Sequence, residues 1–303
     1  MLLSVVVTIV DGDSTLARCL QALAEQYAPP FLEVVVPFDD SVAASIPALR
    51  ERFPAFRFIA LGAVATARPV TSEAGRHELF DRRRAAGLAA AEGAVVAMVE
   101  DRGVPRADWA RKVVDLHRRL PHAAIGGAVE NGVDAPWHWA VWFCDFGRYQ
   151  LPFAAGPATT LTDINVSYKR EALWAVHAQW RERFHEPAVH GALRAAGHTL
   201  FLSPEIVVDQ QRGALGMTAL LRERFHWARL YAATRVAHGG VGRRALFTLG
   251  APLLPLVLLG RQLLHQLDQR RLVGTWLWCL PRTALLLLGW SAGEMAGYAT
   301  RTA

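Results

Sequence analysis

Residues 32–40 read LEVVVPFDD and residues 93–101 read GAVVAMVED, so two strand-like apolar runs each end in a pair of carboxylates. In an open α/β sheet, ligands bind in the crevice beyond the carboxyl ends of the parallel strands. We therefore expect Asp39 with Asp40, and Glu100 with Asp101, to face one pocket. Carboxylates beside a ligand accept its hydrogen bonds or hold a cation against its phosphates. The alternative is that these acids only cap the turns and helices that follow the strands.

Strand-like and helix-like segments alternate around these two runs. The predicted strands are Leu3–Val10, Leu32–Phe38, Phe56–Ala60, Ala94–Val99 and Ala123–Val129. The predicted helices are Thr15–Gln26, Ser45–Arg52, Glu78–Glu92, Arg170–His177 and Pro187–Ala196. This alternation predicts an α/β fold with a doubly wound, mainly parallel sheet. Neither a G-x-G-x-x-G after the first strand nor a G-x-x-x-x-G-K occurs, which disfavours a dinucleotide cofactor and a P-loop.

The apolar residues of the 303-residue chain are unevenly spread. Two apolar runs, Phe247–Leu259 and Leu272–Trp290, contain a single charge, Arg282. The stretch before residue 210 has the charge density of a soluble domain. We therefore predict a domain of soluble type over residues 1–210 and a hydrophobic helical region over residues 211–303, with the boundary at 209–213. The N-terminal run lacks basic residues before it, so we expect a buried first strand and not a signal peptide.

The net charge of +6 comes almost entirely from arginine. Arginine clusters precede or flank the apolar runs, where basic residues meet anionic lipid headgroups. Nucleic-acid binding is the competing explanation of a basic chain, but no zinc-finger spacing or recognition-helix pattern supports it. The three cysteines, Cys19, Cys144 and Cys279, share no close spacing, which indicates reduced thiols in a cytoplasmic protein.

Three features of the region after residue 136 can be read in two ways. The aromatic residues between 137 and 149 can stack on a sugar or base, or can simply pack in a core. Asn165, before the predicted helix 170–177, is a ligand-binding residue or a cap. His185 and Glu186 begin the next helix, where a carboxylate beside a histidine suits acid–base chemistry or stabilisation of the helix dipole.

In their order along the chain, these pieces resemble a family 2 glycosyltransferase with the GT-A fold. The segments SVVVTIVDGDSTLARCLQAL (4–23) and EVVVPFDDS (33–41) are similar to that family's first two strands and base-binding acids. RRRAAGLAAAEGAVVAMVEDRGVP (82–105), NVSYKREAL (165–173) and FHEPAVHGALRAAGH (184–198) are similar to its later motifs. The resemblance covers roughly residues 1–210, and the tail is similar to a membrane-associated bacterial subgroup.

The resemblance implies transfer of a sugar from a nucleoside diphosphate sugar to an acceptor, with inversion at the anomeric carbon. It implies that Asp39 or Asp40 accepts a hydrogen bond from the base. Asp101 with Glu100 would hold a divalent cation, Mn²⁺ or Mg²⁺, on the diphosphate. Glu186, with His185 beside it, would be the general base. The nucleotide-sugar-binding residues implied in this way are Thr8, Val10, Asp39, Asp40, Arg84, Glu100, Asp101, Arg102 and Asn165.

The chain departs from the family's pattern at two places. Arg102 stands where the family commonly has the last acid of its metal motif; an arginine cannot ligate a cation but can pair with a diphosphate. Glu186 stands where the usual base is an aspartate. Two other classes stay open: a non-catalytic nucleotide-sugar-binding or scaffold protein of an envelope complex, and a nucleotidyltransferase.

The tail predicts association with a membrane. Phe247–Leu259 is thirteen residues long, short of the ~20 that span a bilayer, and Arg282 in the second run costs ~2.5–3.5 kcal/mol at the bilayer centre. Helices in the interface or a shallow hairpin are therefore favoured, with an interfacial helix in residues 211–244. A dimer interface or a plain helical subdomain is the alternative. We expect the cytoplasmic face of the bacterial inner membrane, an envelope, polysaccharide or lipid-linked acceptor, contact with membrane lipids and a possible homodimer.

Overall fold

The computed structural model describes residues 2–27, 31–213, 216–236 and 240–300. The chain divides into two compact units. The sheet unit comprises residues 1–67, 77–132 and 149–213, and the helical unit comprises residues 68–76, 133–148 and 214–303. Residues 214–215 and 237–239 of the predicted interfacial segment lie outside the described residues.

A single mixed sheet organises the sheet unit. Its strands are β1 (Leu3–Thr8), β2 (Leu32–Phe38), β3 (Arg57–Ala60), β4 (Val95–Glu100), β5 (Gly103–Pro105), β6 (Ala124–Asn131), β7 (Gly156–Ala158), β8 (Asn165–Lys169) and β9 (Leu200–Gln210). Their order is β3-β2-β1-β4-β8-β6-β9-β5, with β7 added against β9. β1 to β4 are parallel neighbours, and β9 runs parallel to β6. The predicted α/β fold class is therefore confirmed.

Helices of the sheet unit cover both faces of this sheet: α1 (Asp13–Ala24), α2 (Ile46–Arg52), α3 (Glu73–Ala90), α4 (Trp109–Arg119), α6 (Arg170–Ala175) and α7 (Glu186–Ala195). The helices of the helical unit are α5 (Pro136–Asp145), α8 (Met217–Arg235), α9 (Val241–Gly250), α10 (Leu254–Gln269) and α11 (Val273–Thr300). In β1, Val5 and Val7 pack into a cluster that includes residues of α1 and α4, whereas Val6 packs into a second cluster with residues of α3 and α7. Successive strand residues point to opposite faces, so the consecutive valines 5–7 of β1 are what a strand buried on both sides requires. Each such valine contributes ~1.5–3 kcal/mol by leaving water.

Four strands of the sheet were not predicted: β5, β7, β8 and β9. Asn165 was expected just before a helix, but it opens β8, and the helix α6 begins five residues later at Arg170. β8 lies antiparallel between β4 and β6. Its five residues, NVSYK, do alternate polar and apolar side chains, but the run is short, it leads straight into a helix, and its neighbours in the sheet are far away in sequence.

In the helical unit, α11 is the central helix. Gly289, Gly293 and Gly297 lie along its face toward α8, and a Cβ atom on Gly293 would come within 2.2 Å of the Phe225 carbonyl oxygen. Only glycine allows two helix backbones to approach so closely. Within the second apolar run, residues 272–290, the buried positions are Trp276, Cys279, Thr283, Leu286 and Leu287.

The other apolar run has a different environment. Among the described residues, Val241–Gln269 is the one helical segment long and apolar enough to cross a membrane by length and composition. Its most apolar window has a mean hydropathy of 1.5, and only 11% of it is buried.

Candidate active site

The carboxyl ends of β1, β2 and β4 meet at one end of the sheet. Thr8, the last residue of β1, pairs in register with Glu100, the last residue of β4. β2 lies on the other side of β1 and ends at Phe38, directly before Asp39. Parallel pairing thus brings the two acidic pairs of the sequence to the same edge.

Asp39 forms a buried ion pair with Arg83 of α3. The Arg83 guanidinium lies 2.6 Å from Asp39 Oδ2, and it also donates to the Ile9 carbonyl oxygen at 2.5 Å. The other carboxylate oxygen of Asp39 accepts the Ser41 amide at 2.7 Å. Burial by itself raises the pKa of Asp39, but the bonds from Ser41 and the charge of Arg83 outweigh it and lower the pKa. Asp39 is therefore an ionised anchor that ties β1, β2 and α3 together, while the next residue, Asp40, is exposed.

Asp101 lies under the first turn of α1. Its Oδ2 accepts the backbone amides of Gly12 at 2.6 Å and Asp11 at 3.0 Å, where the helix dipole favours negative charge. Its Oδ1 is buried and has no hydrogen-bond partner. Burial, only partly offset by the Gly12 amide, raises the pKa of Asp101 to about 6.

Arg84, one residue after Arg83, is surrounded by carboxylates. Its guanidinium lies 2.6 Å from Asp163, 2.8 Å from Glu100 and 3.3 Å from Asp81. Burial raises the pKa of Glu100 to about 7, with a further contribution from Asp163, and burial raises the pKa of Asp81 to about 6. The buried Arg84 guanidinium is therefore the shared cation of three neighbouring carboxyl groups.

Glu186 completes this group. It is the first residue of α7, and it hydrogen-bonds both the side chain and the backbone amide of Asp163. Burial, then the charge of Asp163, raises the pKa of Glu186 well above its ordinary value. The neighbouring His185 is exposed at the surface, and partial desolvation followed by the charge of Arg183 lowers its pKa. Glu186, Asp163, Arg84, Glu100 and Asp81 are called the Arg84 cluster below.

Three further predicted residues lie near these strand ends. Arg102 is paired with Asp11 through two nitrogens, at 2.8 Å and 2.5 Å. The Thr8 hydroxyl is buried without a hydrogen-bond partner, and the Thr8 carbonyl accepts the Asp101 amide at 2.9 Å. Val10 is partly buried, and its backbone amide helps to lower the pKa of Asp101.

Asn165 occupies a fully buried position among protein groups. Its Oδ1 accepts the Trp109 indole N–H at 2.9 Å. Its Nδ2 donates to the carbonyl oxygens of Ala128 at 2.8 Å and Ile206 at 3.2 Å. The side chain therefore links α4, β6 and β9 in this structure, and its predicted contact with a nucleotide sugar stays a prediction.

The residues predicted to hold a divalent cation do not form a ready site. Glu100 Oε1 bonds Arg84 and Asp101 Oδ2 is taken by backbone amides, whereas Asp101 Oδ1 is buried with no hydrogen-bond partner. In the part of the chain that the structure describes, no group of three or more His, Cys, Asp or Glu side chains is arranged to hold a metal ion. The acids at this edge are thus balanced by arginines and protons, and the cation stays a prediction.

Sequence reasoning missed three residues of this edge: Arg83, Asp81 and Asp163. Arg83 and Asp81 stand in the basic stretch of α3 whose side-chain directions were unknown before the strands were placed. Asp163 had one available signal, since it stands two residues before the predicted Asn165.

The comparisons with known proteins support the fold. No protein-family model matches the chain, and no curated protein matches it. The chain is similar to the crystal structure of Staphylococcus aureus TarS residues 1–349, with 14% identity over 97% of this chain and 90% of that one and a TM-score of 0.50. It is likewise similar to TarS 1–349 in complex with UDP-GlcNAc, with 14% identity, 99% and 90% coverage and a TM-score of 0.51. At this identity the likeness establishes a shared fold.

Proposed function

We propose that the protein is an inverting glycosyltransferase that moves a sugar from a nucleoside diphosphate sugar to a cell-envelope, polysaccharide or lipid-linked acceptor. The observation that carries the proposal is the Arg84 cluster: a carboxyl group with a raised pKa, Glu186, at a helix N-terminus beside the strand ends where α/β folds bind ligands. A chain of similar fold binds UDP-GlcNAc, and the order of sequence motifs resembles family 2 glycosyltransferases.

Nucleoside recognition is assigned to the end of β2. Both carboxylate oxygens of Asp39 are engaged by Arg83 and Ser41, so Asp39 shapes the loop. Asp40 is exposed, so it is the better-placed carboxylate to accept a hydrogen bond from a base N–H. The backbone around Thr8 and Val10 lies at the same edge of the sheet.

The diphosphate is assigned to the space between Arg102 and the first turn of α1. Arg102 presents a planar fork that binds phosphate oxygens in two places, and its present partner Asp11 is itself at the site. Release from Asp11 would let Arg102 offset the charge that builds on the leaving group. A divalent cation bound near Asp101 Oδ1 would supply the same charge compensation. The comparison of activity with and without Mn²⁺, described below, tests whether the reaction needs that cation.

Glu186 is assigned the role of the general base, which removes the proton of the acceptor hydroxyl. The acceptor hydroxyl must lose its proton as its oxygen attacks the anomeric carbon, and a positioned base accelerates such a step by ~10²–10⁴. A carboxylate with a raised pKa takes a proton more readily than an ordinary one. A single displacement of the diphosphate from the opposite side inverts the anomeric carbon.

The helical unit is assigned to a membrane surface. The outward stripe of α11 is apolar along its length, including Leu277, Leu285, Leu288 and Met295. The polar network of this unit is buried instead: Glu294 accepts hydrogen bonds from Tyr298 at 2.7 Å and Trp290 at 2.6 Å. Apolar residues outside and polar residues inside are the arrangement that hydrocarbon solvent favours. Arginines at 243–244 and 270–271 would meet anionic headgroups on the cytoplasmic side of a bacterial inner membrane.

Vesicle flotation tests this attachment. Leu253 and Leu256 are 60% and 70% exposed on α10 and the turn before it. The double variant Leu253→Glu/Leu256→Glu should lose binding to vesicles that contain anionic lipid, because two charges would enter the apolar layer. Phe31→Glu, at an 81% exposed position of the sheet unit, is the matched control and should float like the wild type. Equal flotation of both variants would rule out this surface.

The enzymatic proposal is tested by the products formed from nucleotide sugars. The full chain is incubated with UDP-GlcNAc and with other nucleoside diphosphate sugars, with and without Mn²⁺, and the release of nucleoside diphosphate is measured. Release of UDP supports glycosyl transfer. Release of pyrophosphate would indicate a nucleotidyltransferase instead. Binding without turnover in the presence of envelope acceptors would indicate a non-catalytic binding protein.

A further inference from the structure

Glu186 does not act alone in the structure, because a second carboxyl group is hydrogen-bonded to it. Asp163 contacts Glu186 through its backbone amide and through its side chain. Ionised carboxylates are acceptors only, so a side-chain hydrogen bond between two of them needs a proton on one. When two carboxyl groups share a site, the proton belongs to the pair and one of them titrates at a higher pH.

Arg84 decides where the charge of this pair resides. Its guanidinium lies 2.6 Å from Asp163 Oδ2, closer than to Glu100 or Asp81. The backbone on both sides of Asp163 is fixed as well. The Asn165 backbone amide donates to the Thr162 carbonyl at 3.3 Å, and the Asn165 side chain makes three hydrogen bonds of its own. The Arg84 guanidinium beside Asp163 and the raised pKa of Glu186 together place the shared proton toward Glu186.

The other ionisable groups around the pair do not change this assignment. Tyr168 of β8 is buried and bonds His190 at 2.9 Å, and its pKa is raised by burial and by the charge of Glu186. His185 is disfavoured as a cation by partial desolvation and by Arg183. His190, buried on α7, has its pKa lowered to about 4 by burial. Among the described contacts of the pair, the cation that bonds it directly is therefore Arg84, through Asp163.

We propose that Asp163 is a positioning residue for Glu186: Arg84 holds its carboxylate against the Glu186 carboxyl, the two acids share a proton, and the pairing makes Glu186 a stronger base. The inference rests on the proposed glycosyl transfer. In this inference, Asp163, in the loop before β8, sets the pH above which Glu186 is ionised and can act as the base.

The proton balance follows from this pairing. Loss of the shared proton to solvent leaves Glu186 ionised next to the Asp163–Arg84 ion pair. The acceptor O–H bond then breaks, its proton passes to Glu186, and the acceptor oxygen forms the bond to the anomeric carbon. The bond between that carbon and the diphosphate breaks, and its electron pair leaves with the diphosphate. A neighbouring negative charge favours the protonated product on Glu186, which is why Asp163 strengthens the base.

Asp163→Asn tests the proposal because it keeps the size of the side chain and removes its charge. The rate of UDP release from UDP-GlcNAc at saturation is measured against pH for the wild type and the variant. The acidic limb of the profile should move to lower pH in the variant. The plateau should fall by less than the ~10²–10⁴-fold loss expected for Glu186→Gln. Asp81→Asn, which removes another carboxylate from Arg84 without touching Glu186, is the matched control and should move the limb less.

A merely structural role of Asp163 would lower the rate and leave the limb where the wild type has it, and that result would overturn the inference. If the wild type binds UDP-GlcNAc but never releases UDP, the proposed function fails, and the pair is then tested by stability. Because the pKa of Glu186 is raised in the folded chain, its ionisation costs stability as pH rises. Glu186→Gln should therefore stabilise the chain increasingly toward alkaline pH. The gain should be smaller in the Asp163→Asn background, and an equal gain in both backgrounds would refute the pairing.

Discussion

Replacing Asp101 by asparagine should change how the stability of the sheet unit depends on pH. Burial raises the pKa of Asp101 from its ordinary value to about 6, and the residue is only 1% exposed. A group whose pKa is higher in the folded state stabilises most below its unfolded pKa, and that contribution is lost as pH rises through the folded value. A rise of this size corresponds to ~3 kcal/mol.

Asparagine keeps the shape of Asp101 and an oxygen for the Gly12 and Asp11 amides, but it cannot ionise. The free energy of unfolding of Asp101→Asn minus that of the wild type should therefore increase by ~3 kcal/mol between ~pH 2 and ~pH 8. In acid the variant should be no more stable than the wild type, because both side chains are then neutral.

Hydrogen exchange of the β1 and β4 amides measures this difference within the sheet unit. Comparing variant and wild type at the same pH removes the intrinsic pH dependence of exchange. Asp40→Asn, at an exposed position of the same edge, is the control for the loss of one negative charge. A difference between Asp101→Asn and wild type that stays constant or decreases with pH would refute the reasoning that burial destabilises the ionised form.

Further substitutions test the roles assigned to the site. Glu186→Gln should slow transfer to a hydroxyl acceptor by ~10²–10⁴ while UDP-GlcNAc affinity is kept; steady-state kinetics with an unchanged rate would exclude it as the base. Arg83→Met should destabilise the chain by ~3–5 kcal/mol in urea denaturation, because Asp39 then stays buried without its cation. Adding Asp39→Asn should recover part of that loss, and full additivity of the two changes would argue against the ion pair. Asp40→Ala should weaken UDP-GlcNAc binding in calorimetry and leave the saturated rate nearly unchanged, whereas the reverse pattern would remove it from base recognition.

The parallel half of the sheet could be predicted because its signal is local. β1, β2 and β4 are short, largely apolar runs with adjacent valines, and acids follow directly where β2 and β4 end. β8 could not be predicted, because its place between β4 and β6 depends on partners about 40 to 70 residues away in sequence.

The sequence identified several residues of the site, but it did not show which side chains they would bond. Asp39 was identified from its position, yet its partner Arg83 is 44 residues away and was one of three adjacent arginines. Which of Arg82, Arg83 and Arg84 points inward depends on the rotation of α3 against the sheet. The same limit hid the bond between Asp163 and Glu186, since a pairing across two loops leaves no periodic trace in the sequence.

The most direct test of the central claim, that the strand ends of the sheet unit bind a nucleotide sugar, is a hydrogen-exchange footprint of UDP-GlcNAc on the full chain. Binding there should slow exchange in the segments that follow β1, β2 and β4, at residues 8–12, 39–42 and 100–103, and Asp40→Ala should weaken that protection. Protection confined to other segments, or none at ligand concentrations that saturate binding, would contradict the assignment of this edge as the nucleotide-sugar site.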